Sequence, residues 1–276
     1  MVGGFKSSTE ILNTEVSQWI INKIDRLDGR AKFSSLNAVR FLRWSNDAYD
    51  ASHIVASFCA MHATEEAVVA FISAAQAQKH KTHQNKIKIR RHNGKALVSI
   101  FAQRISLLLA QGNVSIAIHP NQDTLAYRAP TEAGYHYGAL HLSSFSLSNY
   151  AGEANGILLG DTPSFEDVAD EATRIAKLRN DLIYATETGY PTGFDNPEYE
   201  VARNTALSIG LIWAAVDMYM HPDQNRLIVD QVLSGMADVI DQKNGKSSKK
   251  EDSLPSLEQI ESELASDGTF MEDESQ

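Results

Sequence analysis

Apolar positions near the amino terminus recur at the spacing of one helical face. Ile11, Val16, Ile20 and Ile24 belong to this face, and the pattern predicts one helix that continues to about Leu27. The segment Ser7-Ser8-Thr9-Glu10 has the spacing of a capping box, in which a serine and a glutamate three residues later satisfy each other's free backbone groups. We therefore expect the helix to begin there and to end at Asp28-Gly29.

Two further helices are predicted before residue 79. One begins near Ser34 or Ser35, and the next runs from about Asp50 to Gln78 without Gly or Pro. Its small residues recur every three or four positions, which suits close helix packing: Ala51, Ala56, Ala60, Ala63, Ala67, Ala70 and Ala74.

The pattern changes after a predicted amphipathic helix at 96–110. Residues 114–118 alternate between apolar and polar, 120–123 contain turn residues, and 124–128 fit a returning strand. This spacing predicts a small β-hairpin. Residues 130–159 are rich in Gly, Ser, Tyr and His and fit neither period. We interpret about 112–160 as an insertion into a helical protein.

Helical spacing resumes at residues 162–184, which begin with Thr-Pro-Ser and several acidic residues. The segment 186–197 has two Gly and two Pro and predicts a loop. Helices are expected at 198–220 and 222–240. The fold class is therefore mainly α, with one helical domain over 1–241 and an acidic tail over 242–276 whose composition predicts disorder. Leu257, Ile260 and Leu264 fit a short helix that binds a protein partner.

The composition excludes several classes of protein. The chain has 276 residues and a single cysteine, Cys59, which excludes a disulfide framework and a cysteine-based zinc site. The amino terminus lacks the pattern of a secretory signal, and the stretch Ala206 to Met220, which we rank as the most apolar, is too short to span a bilayer. We expect a cytoplasmic protein without a membrane interaction.

The net charge of −10 is unevenly distributed. Residues 242–276 hold nine acids and four lysines, whereas residues 67–122 hold eight cations and no acid. A polyanion would respond to this local charge. One interpretation is contact with RNA or a ribosomal surface, and the other is a solvated loop that balances the tail. The candidate nucleic-acid-binding residues are Lys86, Lys88, Arg90 and Arg91.

The segment Leu178-Arg179-Asn180-Asp181-Leu182-Ile183-Tyr184 is the strongest candidate for a functional motif. It lies near the predicted end of a helix, where a Gly/Pro loop leaves the helix end accessible. An arginine can bind a phosphate in a bidentate manner. Without knowledge of any family, the sequence favours the alternative, a structural ion pair for Arg179 and a packing role for Tyr184, because an Arg-Asn pair alone is common.

This motif resembles the arginine motif of HEPN-type helical proteins, in which a polar residue follows the arginine and a histidine comes several residues later. The segment Ala60-Met61-His62-Ala63-Thr64-Glu65-Glu66-Ala67 is similar to the Glu-rich helix of the same superfamily, especially in AbiV-type abortive-infection proteins. The resemblance covers about residues 34 to 220. It implies a helical bundle that forms a homodimer and places two arginine motifs in one cleft.

The resemblance also implies site residues. Arg179 would hold the scissile phosphate of RNA and stabilise its developing charge, and Asn180 would orient the arginine or the substrate. Tyr184 stands where the family has histidine. A phenol with a pKa near 10 is a poor general base at neutral pH, so either the chemistry is modified or this chain binds without cutting.

Two adjacent glutamates complete the candidate catalytic set. Glu65 and Glu66 lie among apolar neighbours, so at least one needs a partner, and Arg179 is a candidate that such a pair would hold in position. A solvated glutamate with a purely structural ion pair is the alternative. We assign Glu66 to the catalytic set with Arg179, Asn180 and Tyr184.

We expect neither a metal nor a cofactor. His62 and Glu66 are four residues apart, but no Glu-x-x-His motif occurs in the chain. Glycine-rich phosphate loops and the Gly-x-Ser-x-Gly motif are absent as well. Two functional hypotheses remain. The first is a HEPN-like, metal-independent endoribonuclease or toxin-like translation inhibitor in anti-phage defence. The second is a non-catalytic helical module that binds a protein or nucleic-acid partner.

Overall fold

The structure is a computed structural model that describes residues 6–78, 95–96, 100, 115–139, 165–185, 189, 193–222 and 233. Within this part the protein is mainly helical, as predicted. The predicted helix at 222–240 and the acidic tail lie outside the described residues, except for Pro222 and for the helical, buried Leu233. Most of the predicted helix at 96–110 also lies outside them. Helices and strands are numbered below in chain order.

The capping box is confirmed, but the helix that follows it is shorter than predicted. Helix α1 covers Ser8–Leu12, with Ser7 accepting from the Glu10 backbone N–H and Glu10 accepting in return. A break at residues 13–14 follows, and Thr14 caps helix α2, Glu15–Lys23. A 3-10 turn, Ile24–Arg26, ends the segment. The single helix to Leu27 was wrong because Thr14 offers a second capping oxygen, which stabilises a new helix start.

Helix α3, Gly29–Ala48, begins about five residues earlier than predicted. Gly29 has a φ of +51°, in the left-handed region that glycine adopts without a steric penalty. The glycine thus ends the preceding turn and also starts α3. The residues that face the interior include Ala31, Ala38 and Leu42.

Helix α4, His53–Ala77, is the central element. It packs against α3 and against helix α6, Pro197–Met220. Six of the seven small residues are buried, which confirms the predicted close packing for them: Ala56, Ala60, Ala63, Ala67, Ala70 and Ala74. The seventh, Ala51, is exposed in the turn before α4. Among the described helices, α4 rather than Ala206–Met220 is long and apolar enough to cross a membrane, with a mean hydropathy of 1.4 over its most apolar window. Two thirds of that window, 67%, is buried inside the fold, as in an ordinary core helix.

Helix α5, Phe165–Asp181, and helix α6 follow in the carboxyl-terminal half. Asn196 caps α6 by accepting from the Tyr199 N–H, and Pro197 occupies the first helical position. Helix α6 buries Ile212, Trp213 and Val216 against α2 and α4. Trp213 lies 5.6 Å from Trp19 of α2, measured between ring centroids. Among the described residues these helices share a main hydrophobic core, and a small second cluster holds Ala56, Ala60 and Val201.

A small antiparallel sheet accompanies the helices. Strands β1 (Ser115–Ile118), β2 (Leu125–Thr131) and β3 (Gly134–Ala139) lie in the order β1-β2-β3. The predicted hairpin is confirmed, since Ser115 pairs with Arg128 and Ile118 with Leu125. Strand β3 lies in a region to which the sequence analysis assigned no element. Leu125 is buried in the main core, and Lys23 of α2 pairs with Asp123 in the β1–β2 turn.

A neutral polar network connects α4 to α6 inside the bundle. The hydroxyl of Thr64 donates to the amide oxygen of Asn204 at 2.9 Å, and Ser208 lies 3.1 Å from the same hydroxyl. The amide nitrogen of Asn204 donates to the Glu200 carbonyl at 2.8 Å. All three of Thr64, Asn204 and Ser208 are buried and hydrogen-bonded, so the network fixes the register of the two helices without leaving their polar groups unsatisfied.

Candidate functional site

Arg179 lies in the last turn of α5 and faces α4. Its Nε is 3.3 Å from Oε1 of Glu65, an ion pair without hydrogen-bond alignment. Its Nη1 donates to Oδ1 of Asn180 at 3.2 Å, and its Cζ lies 5.3 Å from the Phe58 ring centroid. The Arg179 side chain is only 15% exposed. The Phe58 ring beside the guanidinium, the ion pair at Nε and the hydrogen bond at Nη1 therefore fix the position of the Arg179 guanidinium.

The second oxygen of Glu65 faces two further basic groups. Lys95 places its Nζ 3.5 Å from Oε2, and Nδ1 of His62 is 3.9 Å from the same atom. One carboxylate is thus surrounded by two permanent cations and one imidazole. At separations of 3–4 Å, in a site that is mostly closed to water, these charges interact more strongly than they would on an open surface. We call Glu65, Arg179, Lys95 and His62 the Glu65 cluster.

His62 lies partly buried within the Glu65 cluster, and burial changes its titration. Burial lowers the pKa of His62, and the carboxylates of Glu65 and Glu66 oppose this shift only in part. The ring packs edge-on against Phe41, with 4.3 Å between ring centroids, and lies 6.0 Å from Phe58. His62 therefore remains largely neutral at neutral pH.

A cleft of about 330 Å³ adjoins the cluster between α4, α5, α6 and the segment 193–195. Its walls combine apolar side chains such as Met61, Ile175 and Leu207 with charged ones. Glu65 lines it, as do four other charged residues: Arg174, Asp195, Glu200 and Arg203. Arg203 and Glu200 form an ion pair at 2.7 Å. The cleft can hold a small polar group that carries both donors and acceptors, such as a nucleotide fragment.

Asn180 and Tyr184 are placed differently from Arg179. Both are exposed, and Tyr184 keeps 62% of its surface open to solvent. The backbone N–H of Tyr184 donates to the Asn180 carbonyl at 3.0 Å, which closes the turn after α5. The phenol thus stands on the surface beyond the helix end. The predicted pairing of Arg179 with Asn180 is found, whereas Tyr184 makes no described contact with the guanidinium.

The glutamate next to Arg179 is Glu65 and not Glu66. Glu66 is one position further along α4, about 100° around the helix axis, and it lines a groove beside Phe33, Leu36 and Arg40 of α3. The structure therefore places Glu65, and not Glu66, beside Arg179, while the assignment of Glu66 to the catalytic set stays a prediction. The sequence indicated that Glu65 or Glu66 needed a partner, but it does not show which side of α4 faces α5.

The remaining predictions concern four basic residues, a metal site and Cys59. Lys86, Lys88, Arg90 and Arg91 lie outside the described residues. Within the described part of the chain, no group of three or more His, Cys, Asp or Glu residues is arranged to hold a metal ion. Cys59 is a buried free thiol of α4, and burial raises the pKa of that thiol.

The sequence analysis did not assign three residues of this site to it: Lys95, His62 and Phe58. Lys95 was counted only as part of the basic window, and His62 only as half of a metal site. The signal that could have found His62 and Phe58 is their spacing from Glu65 of three and seven residues, which places all three on one face of α4.

No family model, curated protein or solved structure matches this chain. The HEPN resemblance therefore stays a prediction from the sequence motifs.

Proposed function

We propose that this protein targets RNA and that Arg179 contacts a backbone phosphate. The observation that supports this proposal is the ion pair between Arg179 and Glu65, since Glu65 itself lines a cleft between three helices and Phe58 packs against the guanidinium. An arginine held in this way loses little conformational freedom when it binds an anion. Glu65 would then act as a positioning residue.

The proposed reaction is metal-independent cleavage of RNA. The 2′-hydroxyl gives its proton to water and attacks the adjacent phosphorus, a new O2′–P bond forms and the P–O5′ bond breaks. The 5′-oxygen leaves with a proton from water, and the other product is a 2′,3′-cyclic phosphate. Negative charge increases on the phosphoryl oxygens in the transition state, and the guanidinium of Arg179 and the ammonium of Lys95 would stabilise it. Tyr184, exposed beyond the helix end, would contact the RNA chain rather than accept a proton.

The biological setting proposed with this activity follows the sequence resemblance. The protein would act in the cytoplasm in anti-phage defence, as an endoribonuclease or as a toxin-like inhibitor of translation. A homodimer would place two Arg179 side chains at one RNA.

A second candidate function is a non-catalytic helical interaction module. The observation that favours it is the low exposure of Arg179, 15%, together with its ion pair to Glu65. An enclosed arginine of this kind can stabilise the fold without touching a ligand. In that case the described helices present binding surfaces, and no RNA is cut.

The two candidates are distinguished by one substitution and its control. Purified full-length protein is incubated with labelled single-stranded RNA in the presence of EDTA. We expect the wild-type protein to cleave the RNA, and Arg179→Ala to lower the rate by about 100-fold, since a single transition-state contact is worth that much. Arg26→Ala removes an exposed arginine on the 3-10 turn and should change the rate by less than about twofold.

The other outcomes are equally informative. Binding of RNA without cleavage, lost in Arg179→Ala, would support the interaction module with a nucleic-acid partner. If the wild-type protein neither binds nor cleaves RNA, both as a monomer and as a dimer, the RNA proposal is wrong.

A further inference from the structure

The outer face of α3 carries an apolar stripe that no described element covers. Phe33 is 69% exposed, and Leu36 and Trp44 are each 45% exposed. With Arg40, these residues follow a spacing of three, four and four, so they share one side of the helix. A groove of about 500 Å³ runs beside them, lined by Phe33, Ser34, Leu36, Asn37, Arg40 and Glu66. We call this surface the α3 stripe.

Charge on the same face is mainly positive. Exposed Arg30, Arg40 and Arg43 lie within a half-turn of the stripe, and the acids near it are Asp47 and Glu66. The Arg40 guanidinium lies over the Trp44 ring, 4.8 Å from its centroid. The stripe therefore offers apolar contact together with an arginine that is already ordered by an aromatic ring.

This charge limits what can cover the stripe. A second copy that paired stripe to stripe would bring the arginines of both copies together, which is unfavourable when they lose contact with water. An amphipathic segment with an apolar side and acidic flanks fits better, since it buries the aromatic groups and complements the arginines.

The chain itself contains such a segment. Leu257, Ile260 and Leu264 are spaced by three and four residues, and from residue 251 to 276 the sequence has nine acids and no Lys or Arg. Leu257 comes 24 positions after Leu233, which is buried in the core. An extended chain of that length reaches up to about 80 Å, enough to cross a protein of this size.

We propose that the acidic segment around Leu257, Ile260 and Leu264 docks on the α3 stripe of the same chain. The three apolar side chains would lie against Phe33, Leu36 and Trp44, and the flanking glutamates beside Arg40 and Arg43. This contact is independent of the RNA activity proposed above. It assigns the tail to an intramolecular site, rather than to another protein.

Cysteine cross-linking in the full-length chain tests the contact. Asn37→Cys beside the stripe is combined with Ser256→Cys in the segment, and a short bismaleimide is added. The matched control combines Ser256→Cys with Asn22→Cys, an exposed position on α2. Native Cys59 is buried and stays in all variants. We expect an intramolecular product for the Asn37 pair, at least about fivefold above the control pair.

Two further variants show what holds the contact together. Replacing Leu257, Ile260 and Leu264 by Ser should lower the yield to the control level. Arg40→Glu should lower it about fivefold, as expected for reversal of one partly exposed charge pair, and Glu258→Lys with Glu261→Lys should restore it. Equal yields for both cysteine pairs would overturn the proposal. A product that forms only between two chains and increases with protein concentration would overturn it in favour of a second copy.

Discussion

Thr64 and Glu65 are neighbours in α4, yet they belong to two different kinds of polar site. Thr64 faces α6 and joins a neutral network with Asn204 and Ser208 that is buried and hydrogen-bonded. Glu65 faces α5 and forms a charged cluster that keeps some contact with water, since its own side chain is 14% exposed. The helix places the two sites about 100° apart.

Helix α4 thus carries a polar network that stabilises the fold on one side and a charged cluster suited to bind a ligand on another. Neutral hydroxyl and amide groups can be enclosed at little cost once their hydrogen bonds are made. Charged groups cannot be enclosed without a large loss of hydration, so they remain beside a cleft, where a ligand can replace water. Thr64 and Asn204 also line the cleft, but their polar groups are hydrogen-bonded within the network. Substitutions in the first site should therefore change mainly folding, and substitutions in the second should change mainly function.

The largest expected effect on stability is that of Asn204→Leu. This change keeps the branching of the side chain but removes two hydrogen bonds, a buried one to Thr64 and a partly buried one to the Glu200 carbonyl. We expect a loss of about 2 kcal/mol in the free energy of unfolding, because buried partners are left unsatisfied. Denaturant unfolding followed by circular dichroism measures this loss.

The control for this prediction is Thr9→Val, which alters an exposed threonine of α1 and should cost less than about 0.5 kcal/mol. Combining Asn204→Leu with Thr64→Val should cost less than the sum of the single changes, since both remove the same hydrogen bond. Additive costs would show that the network is not a unit.

Glu65→Gln should have a smaller effect on stability and a clear effect on function. Arg179 and Lys95 would lose a counter-charge in a partly enclosed site, which should cost about 1 kcal/mol. RNA should still bind, because the local positive charge rises, but the cleavage rate should fall at least about tenfold, since Arg179 is no longer held. Binding and cleavage are measured separately on the same RNA.

Glu66→Gln is the matched control for this change. It removes the same charge one residue further along α4, on the side of the α3 groove. We expect cleavage within about twofold of wild type. Equal losses in the two variants would contradict the assignment of Glu65, rather than Glu66, to the site.

The smallest expected effect is a pH dependence due to His62. Burial lowers the pKa of His62 in the folded protein below its value of 6.5 in an unfolded chain, so between the two values the unfolded chain binds more protons. Its contribution to stability is therefore complete above pH 6.5 and is lost as the pH falls toward the folded-state pKa. In His62→Gln, the unfolding midpoint should fall less than in the wild-type protein as the pH is lowered from 7 to 5.

The matched control is His136→Gln, an exposed histidine of β3. It should leave the wild-type pH profile in place. A wild-type decrease that persists in His62→Gln would mean that other groups cause it.

Local sequence signals predicted much of the secondary structure. The capping box at Ser7 and Glu10 and the hairpin that pairs Ser115 with Arg128 depend on short-range chemistry and were confirmed. The break at Thr14 and the start of α3 at Gly29 were missed. A threonine can lie inside a helix or cap a new one, and a left-handed glycine can end one helix or begin the next, so the residue types alone do not place the boundary.

The candidate site was predictable only in part. The motif around Arg179 identified the arginine and its contact with Asn180, and the two adjacent glutamates on α4 identified a carboxylate in need of a partner. The choice between Glu65 and Glu66, and the participation of Lys95, depend on which face of α4 lies against α5. Nothing in the sequence near these residues contains that information.

By itself, then, the sequence determined the predominance of helix, the small-residue surface of α4 and the types of charged side chain available for chemistry. These properties follow from backbone sterics and from hydrophobic periodicity, which act over a few residues. The tertiary structure alone decided that Arg179, Lys95 and His62 meet at Glu65, which lines the cleft. Contacts between residues far apart in the chain depend on how whole helices pack, and packing is fixed by the combined burial of the core rather than by any single motif.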